Sequence, residues 1–162
     1  MKKIENFDML LYCLNESMWK LECFSMSSGK YSAEKTFFII GTALHWLVDC
    51  YERIEKIGLL DESDKIQVSA LRFANNCLKH NITLGDFREK AEGATLPILL
   101  DGSAELWHYA WKDLDYVQEI QNENQRKNYN KILRGKAIVN TFREDVEKVN
   151  NYYKKYTSEQ RN

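Results

Sequence analysis

A chain of 162 residues is long enough to bury a substantial core within one domain. Its formal net charge of −1 supplies no global field for nucleic acid or anionic lipid, so any such contact needs a local basic patch. A single proline, Pro97, and only seven glycines leave little to interrupt helices.

The amino terminus carries Lys2 and Lys3, but Glu5, Asp8, Asn15 and Glu16 interrupt the following segment, so no signal-peptide apolar stretch forms. No run approaches the roughly 18 to 20 apolar residues that span a bilayer. The expected location is the cytoplasm, with no membrane partner. Cys13, Cys23, Cys50 and Cys77 form no C-x-x-C pair and are expected to be reduced, buried thiols.

A first helix is predicted from about Lys3 to Ser25, where Ile4, Phe7, Leu11, Leu14, Met18 and Leu21 repeat at alternating steps of three and four. Ser32 is suited to N-cap a second helix, with Glu34 in its first turn, and Gly58 is a plausible C′ residue. Phe37, Ile40, Leu44, Leu47, Tyr51 and Ile54 form its stripe. Asp61 caps a shorter third helix whose inner stripe is Ile66, Ala70, Phe73 and Cys77.

The pattern changes between Asn81 and about Asn122. Leu96–Leu100 and Glu105–Trp111 can form a hairpin through Asp101-Gly102, with Trp107, Tyr109 and Trp111 on one face, or the segment can begin a short helix. In the last predicted helix, Ile132, Gly135, Val139, Phe142, Val146, Val149, Tyr153 and Tyr156 keep the three-four alternation, with Gly135 in the seam. Residues 157–162 are expected to fray. The predicted fold is mainly α: residues 1–162 as one antiparallel four-helix bundle domain. A small β-hairpin or irregular insertion, at about 81–122, separates its third and last helices.

One run on the third helix carries chemistry. Arg72, Asn76 and His80 are spaced by four and four, forming a tilted polar stripe beside the apolar sector, and Lys79 projects close to Arg72. Arg72 and His80 are about 12 Å apart along the axis, and long side chains can still converge on one phosphate. A histidine can move protons in phosphodiester cleavage, an arginine can stabilise charge on phosphoryl oxygens, and an asparagine can hold the histidine tautomer or the phosphate. An attack by an RNA 2′-hydroxyl needs no metal, and the sequence offers no convincing metal cluster. The same residues also fit a solvated helix border, with Lys79 and His80 favoured by the helix dipole and Asn81 as C-cap.

A helical bundle with Arg72-Phe73-Ala74-Asn75-Asn76-Cys77-Leu78-Lys79-His80 near the end of its third helix resembles the HEPN superfamily. The interval from Arg72 to His80 is longer than that family's usual one, and either Asn75 or Asn76 can match its polar position. The resemblance implies a metal-independent endoribonuclease of a toxin–antitoxin or antiphage system, without cofactor, acting on RNA as a homodimer. It assigns His80 as acid/base, Arg72 as charge stabiliser, Asn76 as a positioning group, and Asn75 and Lys79 as substrate-binding groups. Other members of that group are non-catalytic, which leaves a second expectation: a dimerisation or interaction module, antitoxin-like or regulatory.

Elsewhere, His45 and Asp49 lie one turn apart and can pair as base and orienter, or His45 can be structural beside Trp46. His108, between Trp107 and Tyr109, can stack a base or pack. Lys131, Arg134 and Lys136 can form a phosphate patch or a solvated face.

Overall fold

The computed structural model describes residues 4–26, 31–89 and 107–161. Five helices and a two-stranded antiparallel sheet make up the described chain: α1 (Phe7–Met26), α2 (Ala33–Lys56), α3 (Glu62–Lys79), β1 (Gly85–Glu89), β2 (Trp107–Trp111), α4 (Glu123–Ile132) and α5 (Ile138–Arg161).

Local chemistry sets most helix ends. Asn6 has a left-handed φ of 53°, so α1 starts at Phe7 rather than near Lys3. Ser32 caps α2 by accepting from the Lys35 N–H at 3.2 Å. At the other end Gly58 adopts φ 83°, and the Gly58 and Leu59 N–H groups donate to the Glu55 and Ile54 carbonyls. That crossed pair satisfies carbonyls the helix would otherwise leave open. The end of α3 repeats it: Asn81 sits at φ 59°, and Asn81 and Ile82 donate to Leu78 and Cys77. Asparagine takes this conformation more readily than other side-chain-bearing residues.

The core lies between the helices and the sheet. α1 packs on α2 and α5, α2 also packs on α3, and α3 packs on α4. α1 and α5 run antiparallel, with Ile4 N–H donating to Tyr156 Oη at one end and Arg143 pairing with Glu22 at the other. In the predicted stripes of α1 and α2, Phe7, Leu14, Met18, Leu21, Ile40, Leu44, Leu47, Tyr51 and Ile54 are buried. Each such aliphatic or aromatic side chain contributes about 1.5–3 kcal/mol by leaving water.

Ile66 departs from the predicted stripe of α3: it is 44% exposed. α4 covers that flank of α3, with Gln125 beside Asn76 and Asn128 beside Ser69, and it ends at Ile132. Buried Val68 and Leu71 form a second α3 face. Asn128 and Ser69 are bonded at 2.9 Å.

β2 has a pairing partner that the sequence pattern did not suggest. Trp107–Trp111 is a strand, but it pairs with Gly85–Glu89, in the register Gly85 to Trp111 and Phe87 to Tyr109. Leu96–Leu100 and the Asp101-Gly102 turn lie outside the described residues. Tyr109 stacks on Phe24, and Trp111 stacks on Phe142 while its indole N–H donates to Thr141 Oγ1. These contacts anchor the sheet to α1 and α5.

The single predicted last helix is two. Gly135, placed in the helical seam by periodicity, lies between α4 and α5 with φ 78°. Its N–H donates to Trp111 O, and Trp111 N–H donates to Lys136 O. The chain leaves helical geometry here to hydrogen-bond the edge of β2, and glycine reaches that φ without a Cβ clash. Among the described residues, no helix is long and apolar enough to cross a membrane.

Candidate functional site

Arg72, Asn76 and His80 all lie on α3 or at its end, but they face different neighbours. Four residues turn a helix by 400°, so each step along this stripe advances about 40° around the axis. Arg72 therefore points at α2. Its Nη2 is 2.5 Å from Glu55 Oε2 and its Nε is 3.3 Å from Glu52 Oε1. Burial works against the guanidinium's charge, but the hydrogen bonds and charges of Glu55 and then Glu52 more than offset it and hold its pKa above the ordinary value. Two carboxylates thus engage two of its five N–H donors and offset its charge.

Asn76 faces α4 instead. Its amide donates to Gln125 Oε1 at 3.4 Å, and Lys79 Nζ lies 3.5 Å from its Oδ1. Asn75 is half-buried, whereas Lys79 and His80 are exposed. His80 is the C-cap of α3, its backbone N–H bonded to the Cys77 and Leu78 carbonyls. The structure therefore brings Asn76 and Lys79 together, separates Arg72 from them, and leaves His80 on the surface at the helix end. Among the described residues, no group of three or more His, Cys, Asp or Glu side chains is placed to hold a metal ion.

The other sequence candidates are divided in the same way. Asp49 accepts from Arg53 at 3.1 Å, while the His45 ring lies edge-on to Trp46 at 5.2 Å. Arg134 is paired with Asp113 and Asp115, which neutralises much of the basic run at 131–136. The His108 side chain lies outside the described residues. The cysteines differ from expectation: Cys50 and Cys77 are buried, with burial raising each thiol to about 12, but Cys13 is half-buried and Cys23 exposed. Cys23 lies on the face of α1 turned away from the core.

Two features were missed in the sequence reading. One is a buried polar network. Asp145, 1% exposed, accepts from Tyr51 Oη and Gln67 Nε2, each at 2.7 Å, and burial raises its carboxyl to about 6. Nearby Asp64 accepts from Lys148 and Tyr152, also at 2.7 Å. Asp145 adjoins Val146 in the apolar stripe of α5, and that adjacency is its signal in the sequence.

The second is the outer face of α1. Met9, Tyr12, Glu16, Trp19, Cys23 and Met26 recur at steps of three, four, three, four and three, opposite the buried stripe. Met9, Tyr12, Trp19 and Met26 are each at least 60% exposed. Beside them α1 and α2 enclose a groove of about 290 Å³ lined by Tyr12, Cys13, Glu16, Lys20, Phe38 and Trp46. One helix thus carries two apolar faces, and the described chain covers only one. Compared with protein-family models, with curated proteins and with solved structures, the chain matches none.

Proposed function

We propose that this chain is a HEPN-like helical module that acts by binding, as a cytoplasmic dimerisation or regulatory unit, without cutting RNA itself. In this reading α1, α2, α3 and α5 form an antiparallel four-helix bundle, with α4 and the small sheet packed against it. The observation that carries it is the engagement of Arg72 by Glu52 and Glu55 of the same chain. A charge stabiliser must direct its donors and its positive charge at an oxyanion that develops in the transition state, and here two of the donors and the charge are already met by carboxylates. The exposed apolar face of α1 supports the same reading, because large uncovered apolar patches mark interaction sites.

A second reading, a metal-independent endoribonuclease of a toxin–antitoxin or antiphage system, is favoured by the exposure of Lys79 and His80 one turn from Asn76. It requires Arg72 to leave its carboxylates and a second chain to complete the cleft. Incubating total RNA and tRNA with wild type and His80→Ala in EDTA separates the two. The binding reading predicts equal, negligible cleavage. Cleavage to 2′,3′-cyclic phosphate ends that disappears in His80→Ala would establish the nuclease instead.

A further inference from the structure

We propose that the outer stripe of α1 is a helix-pairing seam whose occupant is α1 of a second copy of this chain, running antiparallel across a two-fold axis near residue 18. The inference rests on the binding reading and names its surface and partner.

The stripe has the geometry of a seam. Met9, Tyr12, Glu16, Trp19, Cys23 and Met26 keep the spacing that lets one helix lie along another over five turns. Phe38 of α2, 65% exposed, extends the apolar surface across the groove beside Tyr12. With Met9, Tyr12, Trp19 and Met26 it exposes roughly 700 Å² of side chain per copy, taking about 150–250 Å² for a whole large residue. A stable interface of ordinary size buries about 800 Å² per partner.

The charges select the partner and its direction. Glu16 is the one ionised residue within the stripe, and Lys20 lies one turn further along its edge, both exposed. A parallel pair would set Glu16 against Glu16 of the second copy, which is repulsive. An antiparallel pair centred near residue 18 sets Glu16 against Lys20 of the second copy, twice, by symmetry. An isologous interface must be self-complementary in this way, and one charged position within an apolar seam is a known means of fixing register. The net charge of −1 leaves little repulsion between whole molecules. The same register sets Cys13 opposite Cys23 of the second copy.

Sedimentation equilibrium of the full chain tests this, with circular dichroism confirming that each variant is folded. All substituted positions are exposed, so the fold should persist. Wild type is expected to dimerise, and Glu16→Lys and Lys20→Glu each to weaken the dimer about tenfold or more. The double reversal should restore it, and an equimolar mixture of the two single variants should form a heterodimer, since both cross-contacts again pair opposite charges. A short bis-maleimide should join Cys13 to Cys23 between chains, because within one helix they are about 15 Å apart. A folded wild type that stays monomeric to about 100 μM, or a dimer indifferent to both reversals, overturns the self-pairing. Either result leaves the binding reading standing with a different partner, whereas His80-dependent RNA cleavage would remove that reading by a separate measurement.

Discussion

Arg72 Nη2 and Glu55 Oε2 are 2.5 Å apart, joining the polar stripe of α3 to α2 rather than opening it to a ligand. Arg72 keeps 26% of its side chain exposed and Glu55 38%, so solvent screens the pair. A double-mutant cycle with Arg72→Gln and Glu55→Gln, read by urea unfolding, should give a coupling of about 1 kcal/mol or less that shrinks with added salt. A coupling that grows with added salt, or has the opposite sign, would contradict the pairing of Arg72 with Glu55.

Asp145 should make stability depend on pH between about 4 and 6. Its folded carboxyl is raised from an ordinary 3.8 to about 6, first by burial and further by Asp64, against the opposing pull of Tyr51, Gln67 and Lys148. In that window the native state holds the proton more tightly than the unfolded chain. The stabilisation is therefore complete below the unfolded value and lost as pH rises through the folded one. Two units correspond to about 3 kcal/mol. Comparing wild type with Asp145→Asn isolates this contribution: between pH 4 and 7 the difference in unfolding free energy should move by about 2–3 kcal/mol in the variant's favour. A difference that does not change with pH would contradict it.

Gly135→Ala should destabilise the chain by about 1–2 kcal/mol, because the backbone there is left-handed and the N–H bond to Trp111 fixes it. The cause is the backbone alone, since a Cβ at that position meets only Arg88 Nη1 at 3.9 Å. Gly135→Asn should lose less than alanine, as asparagine tolerates this conformation better. Equal losses for the two would point to a different cause.

Gly85→Ala tests close packing instead. A Cβ on Gly85 would lie 2.7 Å from Ile40 Cδ1 and 3.2 Å from Tyr109 Cδ1. The expected cost is about 1–3 kcal/mol. Adding Ile40→Val, which removes the nearer methyl, should make the double variant more stable than the sum of the two single losses predicts. Strict additivity would show that β1 shifts away from α2 freely.

Local signals were legible in the sequence: Ser32 as cap, Gly58 as C′ residue, and the buried stripes of α1 and α2 all depend on residues a turn or less apart. Interactions across the chain were not. Gly85-Asp86-Phe87-Arg88-Glu89 holds one large apolar residue, and it becomes a strand by pairing with β2 and packing Phe87 near Tyr109. Ile132 and Val139 remain in phase across Gly135, so periodicity carried one helix through a break that only the contact with Trp111 explains. Arg72 and Asn76 shared a stripe on paper, and which helix each faces depends on Glu55 and Gln125, 17 and 49 residues away. The outer stripe of α1 was visible in principle. Once one apolar face accounts for a helix, a second set at the same spacing passes for ordinary surface scatter.

The most direct test of the binding reading is metal-free cleavage of total RNA measured side by side for wild type, Arg72→Ala and the Glu52→Gln/Glu55→Gln variant. With Arg72 held by its own chain, wild type should release no more fragments than Arg72→Ala. Any activity should appear only when the two carboxylates are removed. Wild-type cleavage in EDTA that falls to background in Arg72→Ala would contradict the account, because it would show the guanidinium at work on a phosphate in the native protein.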